Sequence, residues 1–124
     1  MTGPGTSAAG RPGARGETAQ AFIYVTAANR AEALSIGRTL VEERLVACVN
    51  VLDGVRSLYW WEGKVQEDDE ALFVAKTRSE LAARVVARVK ELHSYRTPCV
   101  VALPIADGNP DFLDWISAET GPQR

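Results

Sequence analysis

The sequence predicts an α+β fold in the order β-α-β-β-α-β, closed by a terminal helix. Three observations carry that prediction. Apolar runs rich in β-branched and aromatic residues stand at residues 21–27 and 99–103, and on both sides of Glu62-Gly63 within residues 47–76. Two amphipathic stretches of helical period fall between them. Capping or turn residues stand at Asn29, Glu62-Gly63, Thr77, Pro98, Asn109-Pro110 and Gly121-Pro122.

Residues 1–20 hold five of the ten glycines, two of the six prolines and no large apolar side chain except Met1. Such a segment cannot offset its ordering entropy by burial, so it reads as a disordered tail ahead of one domain over 21–124. It lacks the apolar stretch of a signal peptide. Ala21–Ala27 (A-F-I-Y-V-T-A) reads as a buried strand. Asn29 caps the first helix, with Glu32 completing a capping-box-like pattern. Leu34, Ile36, Gly37, Leu40 and Val41 are its expected buried face; Glu32, Arg38, Glu42 and Glu43 point outward, and Arg44 suits the helix C-terminus.

Ala47–Lys76 reads as a β-hairpin turning at Glu62-Gly63. Its first arm, Ala47–Trp61, would span about 50 Å at ~3.3 Å per residue. A domain of this size has a diameter of only about 35 Å. The hairpin must outrun its domain or bend, with Gly54 the place to bend. Thr77 is expected to cap the second helix, whose core stripe is Leu81, Val85, Val89 and Leu92 and which runs out near His93; Arg84, Arg88 and Lys90 face solvent. Pro98 opens the strand Cys99–Leu103. Asn109-Pro110 starts the terminal helix, with Phe112, Trp115 and Ile116 on its apolar side and Gly121-Pro122 beyond its end. This order is the split β-α-β, or ferredoxin-like, arrangement, with an antiparallel sheet and both helices on one face.

The chain has 124 residues and net charge −2, so no strong field points to nucleic acid or an anionic membrane. No apolar run approaches the ~20 residues of a membrane helix. Cys48 and Cys99, without a C-x-x-C, read as reduced thiols in the cytoplasm. The fold hosts many functions, so sites must decide. RNA-recognition modules of this strand order present basic and aromatic residues on the third strand, whereas here that strand carries Glu67-Asp68-Asp69-Glu70. Alternation along the strand keeps these carboxylates from converging, so the run reads as a solvated or edge-protecting segment rather than a metal site.

A thiolate pair after strand one is absent, since Thr26-Ala27-Ala28-Asn29 stands there. His93 and Cys99 are close enough in sequence to converge on a metal or to mimic a base and nucleophile. Read blandly, they are a helix-end histidine and a small core residue. No hydrolase, metalloprotease or phosphate-loop motif is present. Tyr59, Trp60 and Trp61 near the hairpin tip fit a subunit interface, because adjacent tryptophans on a strand face opposite ways and one core cannot take both. Otherwise one packs in its own core and the other stands alone in solvent.

The words R-L-V-A-C-V-N (44–50) and S-L-Y-W-W-E-G-K (57–64) resemble the CutA divalent-cation-tolerance family. So do Lys76-Thr77, His93-Ser94-Tyr95, Leu103-Pro104-Ile105 and Phe112-Leu113-Asp114-Trp115. The resemblance covers about residues 21–119. It implies a non-enzymatic homotrimer with long hairpins pairing across subunits, linked to tolerance of copper and other divalent cations. It also implies a likeness to PII signalling proteins, which bind small ligands between subunits. Metal-binding members carry a Cys at the end of strand one, where this chain has Val25, and an acid after the Thr-Pro step, where it has Cys99. His93 with Cys99 is then the candidate copper or divalent-cation site, selecting softer ions. The candidate inter-subunit cleft takes Trp61, Lys64, Lys76, His93 and Tyr95. In it the lysines engage a small anionic metabolite, and Trp61 and Tyr95 a flat ligand.

Overall fold

The computed structural model describes residues 18–123. Its elements are β1 (Gln20–Ala27), α1 (Arg30–Glu42), β2 (Cys48–Trp61), β3 (Lys64–Arg78), α2 (Ala82–Leu92), β4 (Val100–Pro104) and α3 (Pro110–Ala118). The four strands form one antiparallel sheet in the order β2-β3-β1-β4, as the element order requires. Most of the expected tail, residues 1–17, lies outside the described residues. Gln20, assigned to that tail, is already strand, and its side-chain amide donates to the Leu113 carbonyl (3.2 Å) and Ser117 Oγ (3.0 Å) of α3.

The core lies on one face of the sheet. Ile23, Val25 and Ala27 of β1 and Ala71, Phe73 and Ala75 of β3 meet Ala33, Ile36 and Leu40 of α1 and Val85 and Val89 of α2. Each large side chain buried there contributes about 1.5–3 kcal/mol. The α2 stripe is as expected, with Leu81 buried and Leu92 packed against the core. The α1 stripe differs. Ala33 takes the place of Leu34, which is 40% exposed, and Val41 is 37% exposed. A Cβ on Gly37 would lie 2.9 Å from Val49 Cγ1, so α1 lies close on β2 there, with Ala33, Ile36, Gly37 and Leu40 facing the core and Leu34 and Val41 flanking it.

Two expected caps change role. Thr77 does not cap α2; it is the last fully buried residue of β3, and its hydroxyl donates to the Leu45 carbonyl at 2.6 Å. β3 continues to Arg78 because Gln20 pairs with it, and a 3₁₀ turn over Ser79–Leu81 then leads into α2. Glu32 does not point outward. Its carboxylate accepts from the Ala28 amide (2.9 Å) and the Ser94 amide (2.7 Å), tying the start of α1 to the segment after α2. Asn29 caps α1 as expected, accepting from the Glu32 amide. Arg44 lies beyond the end of α1, with φ +61°, and ion-pairs with Glu119 at 2.7 Å.

The hairpin is long and bent. Its turn residues Glu62 and Gly63 both have positive φ (52° and 77°), the geometry that matches strand twist. The β2–β3 register shifts between Leu52 and Val55, a bulge in which Gly54 adopts φ +74°. β1 pairs only with Ala71–Arg78 of β3. Residues 55–61 and 64–70 therefore form a two-stranded ribbon that overhangs the sheet. Neither hairpin tryptophan packs into a core: Trp60 is 73% and Trp61 49% exposed.

The opposite face of the sheet is open. Phe22, Tyr24, Leu72 and Val74 are only half-buried there, and Leu52, Val101 and Leu103 are exposed. Among the described residues, α3 is the helix that reaches this face. It does so at its Gln20 and Arg78 end, where Arg78 donates to Thr120.

Candidate functional site

A cavity of about 500 Å³ opens where the overhanging ribbon leaves the sheet. β1 contributes Tyr24 and Thr26, and β2 contributes Ser57, Tyr59 and Trp61. From β3 comes Glu70. The segment between α2 and β4 supplies Tyr95, Arg96, Thr97 and Cys99. Strand alternation explains this set. Tyr24 and Thr26 lie one residue out of step with the core residues Ile23 and Val25, so they face the open side. The bulge at Gly54 moves Ser57, Tyr59 and Trp61 onto that same side, opposite Asp68, Gln66 and Lys64.

The acidic run resolves into partnered carboxylates that alternate faces, as expected, but it is not merely solvated. Arg56 bridges Glu67 (2.7 Å) and Asp69 (2.8 Å) on one face. On the other, the Tyr59 hydroxyl donates to Asp68, and the Tyr95 hydroxyl donates to Glu70 Oε2 at 2.7 Å. Glu70 is 8% exposed, and Oε1 has no hydrogen-bond partner among the described residues. Burial, reinforced by the bond to Glu70, pushes the Tyr95 phenol above its ordinary range. The bond to Asp68 raises Tyr59 in the same direction.

His93 stands behind this wall rather than in it. Its side chain is fully buried. Nε2 lies 2.7 Å from the Thr26 carbonyl, which only accepts, so Nε2 carries the proton. Nδ1 then accepts the Tyr95 amide at 3.0 Å. The imidazole has no lone pair left for a metal ion, and among the described residues no three His, Cys, Asp or Glu side chains gather to hold one. The residues present therefore do not fit a metal at His93. What the imidazole does instead is fix Tyr95, whose ring centroid lies 4.7 Å from its own.

Of the residues singled out from sequence, Trp61, Tyr95, Tyr59 and Cys99 meet at the cavity. Trp60 faces the other side of the ribbon, one residue out of step. Lys64 and Lys76 share the open face but do not line the cavity, and Lys76 Nζ is held by Asn50 Oδ1. Cys48, half-buried in β2, has its thiol raised by burial, with Lys76 opposing. Sequence reasoning missed Tyr24, Thr26, Ser57, Glu70, Arg96 and Thr97. The signal for Tyr24 was present: a strand apolar on both faces, F-I-Y-V, in a sheet with helices on one. The signal for Glu70 was its parity with Leu72 and Val74.

These features define a ferredoxin-like α+β domain with an overlong hairpin, a bare apolar sheet face and a ligand-sized cavity at the hairpin's root. The chain belongs to the family described as CutA1 divalent ion tolerance protein, whose model matches residues 21–119. It is 48% identical over 95 residues to the divalent-cation tolerance protein CutA of Archaeoglobus fulgidus, covering 77% of this chain and 92% of that one. Among solved structures, it is similar to the Thermus thermophilus divalent cation tolerance protein at TM-score 0.80 and 44% identity, covering 82% of this chain and 99% of that one. It is also similar to CutA1 of Oryza sativa at TM-score 0.81 and 40% identity, covering 84% of this chain and 95% of that one.

Proposed function

We propose that this chain acts as a divalent-cation tolerance protein of the CutA type, working as a non-enzymatic homotrimer. Family membership and the names of its relatives support the tolerance role, with copper the first ion to examine. One observation carries the physical form: an apolar sheet face that α1 and α2 leave bare and α3 meets only at its Gln20 and Arg78 end, continued by an aromatic ribbon that overhangs its own domain. Monomers do not leave contiguous surfaces of that kind bare. The stoichiometry of three follows from the resemblance of the hairpin words to the family. Tyr59, Trp60 and Trp61 serve as anchors between copies. Light scattering at micromolar concentration should return three times the chain mass, and a monomer would reject the reading. Cells deprived of this chain should grow less well on copper and recover when it is restored.

A second reading is favoured by the cavity: a PII-like sensor that binds a small molecule beside the hairpin, with Trp61 and Tyr95 against a flat ligand. Ligand-induced shifts in melting temperature test it without presuming the ligand. Cys48 and Cys99 are free, which fits a reducing compartment such as the cytoplasm. Relatives carry the words chloroplastic and periplasmic, so fractionation of cells decides the compartment for this chain.

A further inference from the structure

We propose that the cavity at the root of the hairpin binds a small organic ammonium ion, seated against the free oxygen of Glu70 and the faces of the surrounding aromatic rings. This rests on the small-molecule reading above and gives its ligand a charge and a shape.

Four aromatic side chains, Tyr24, Tyr59, Trp61 and Tyr95, share a cavity whose volume lies within the ~300–1,000 Å³ typical of small-molecule sites. Rings in that number favour a flat or apolar body, and their faces attract a cation. The charge on the wall agrees. Glu70 is a buried carboxylate with one oxygen committed to the Tyr95 hydroxyl and the other without a partner among the described residues. A buried acceptor left unpaired is costly, and a ligand that donates to it recovers that cost. An ammonium donor adds charge attraction to the hydrogen bond, and the pairing offsets its own desolvation. A carboxylate ligand would meet the Glu70 charge at close range instead. Arg96 also lines the cavity, but it is exposed, where solvent screens it. Asp68, held by Tyr59, adds a further negative charge beside the same wall. The two lysines expected from sequence to draw an anion do not line the cavity, which removes the main argument for an anionic ligand.

The orientation of the site is built in. His93, pinned between the Thr26 carbonyl and the Tyr95 amide, holds Tyr95, and Tyr95 holds Glu70. The acceptor is thus fixed before the ligand arrives, which lowers the ordering cost of binding.

The test uses the full chain and three matched probes: phenethylammonium, 2-phenylethanol and phenylacetate. Calorimetry reports binding, and the part of the tryptophan emission change that Trp61→Ala removes reports contact with that ring. Phenethylammonium should bind at least about ten-fold more tightly than the alcohol, and phenylacetate least of all. Glu70→Gln should erase the preference for the ammonium. Trp61→Ala removes a cavity ring without touching the core of its own chain, and should weaken the ammonium by about ten-fold with circular dichroism unchanged and light scattering still at the parent mass; a loss that comes only with a fall in mass would assign Trp61 to the contact between copies and overturn its place in the site. If the alcohol or phenylacetate binds as well as the ammonium, the charge assignment is overturned while the small-molecule reading stands. If none of the three binds, the ammonium assignment is overturned, and the ligand-induced melting screen alone decides the small-molecule reading. Binding of the ammonium only to a dissociated form would mean that a second copy fills the cavity, which also overturns the proposal.

Discussion

Tyr95 is the residue through which the parts of the site communicate. Its hydroxyl holds Glu70, its amide is held by His93, and its ring lines the cavity. Tyr95→Phe removes the one donor that Glu70 has among the described residues and should cost about 1–3 kcal/mol in urea unfolding, the penalty for orphaning a buried carboxylate oxygen. Because the folded protein raises the Tyr95 phenol above its ordinary range, this contribution is full below that range and fades as pH rises through the folded value. Glu32 behaves in the opposite sense. Burial alone would raise its carboxyl, but hydrogen bonds from Ala28 and Ser94 outweigh burial and hold it below the usual value. Its stabilisation is therefore present above the unfolded carboxylate pKa and lost as pH falls through the folded one. Glu32→Gln should destabilise by about 1 kcal/mol near neutral pH, with the gap to the parent closing in acid. Neither role was legible in the sequence. Glu32 meets the Ser94 amide 62 positions away and Tyr95 meets Glu70 25 positions away, and no local pattern announces either partner.

At the scale of elements, period and punctuation were sufficient. Asn29 and Asn109 cap their helices, Glu62-Gly63 turns the hairpin, and the Leu81–Leu92 stripe is buried. Thr77 misled because it satisfies the local rule for a cap while the pairing of Gln20 with Arg78 extends β3 past it; a sheet register outranked a side-chain preference. Gly54 was chosen as a bend only from the length of the arm, and its bulge is what swings Ser57, Tyr59 and Trp61 to the cavity side. No atom lies within 4 Å of the position a Cβ would take there, so substitution is penalised by backbone alone. Gly54→Val should lower stability by about 1–2 kcal/mol through the left-handed φ, and Gly54→Asn by clearly less, in chemical denaturation. Equal losses would mean that the bulge relaxes away. In that case ligand binding, which needs the register beyond the bulge, should drop for both.

For the whole molecule, the distribution of apolar surface decides the form of the working protein. The helices cover one face of the sheet, and the other shows Leu52, Val101 and Leu103 at 45–50% exposure beside half-buried Phe22 and Tyr24. β4 is the strand on which this can be tested cleanly. Val101 and Leu103 pair opposite Tyr24 and Phe22 on the open face, whereas Val100 packs against the core. Replacing both by aspartate leaves every backbone hydrogen bond of the strand available and removes nothing from the core. A chain that works alone would gain solubility and keep its mass. A chain whose copies meet through this face would place up to six carboxylates of a trimer against one another in an apolar contact, a burden well beyond the several kcal/mol that a single unpaired buried charge costs. Val101→Asp with Leu103→Asp should therefore shift light scattering from three chain masses to one, while Arg84→Asp on exposed α2 leaves it at three. The monomer so formed should retain the far-ultraviolet circular dichroism of the parent but melt lower, and its melting temperature should no longer rise with protein concentration, because association of folded chains contributes to stability by mass action.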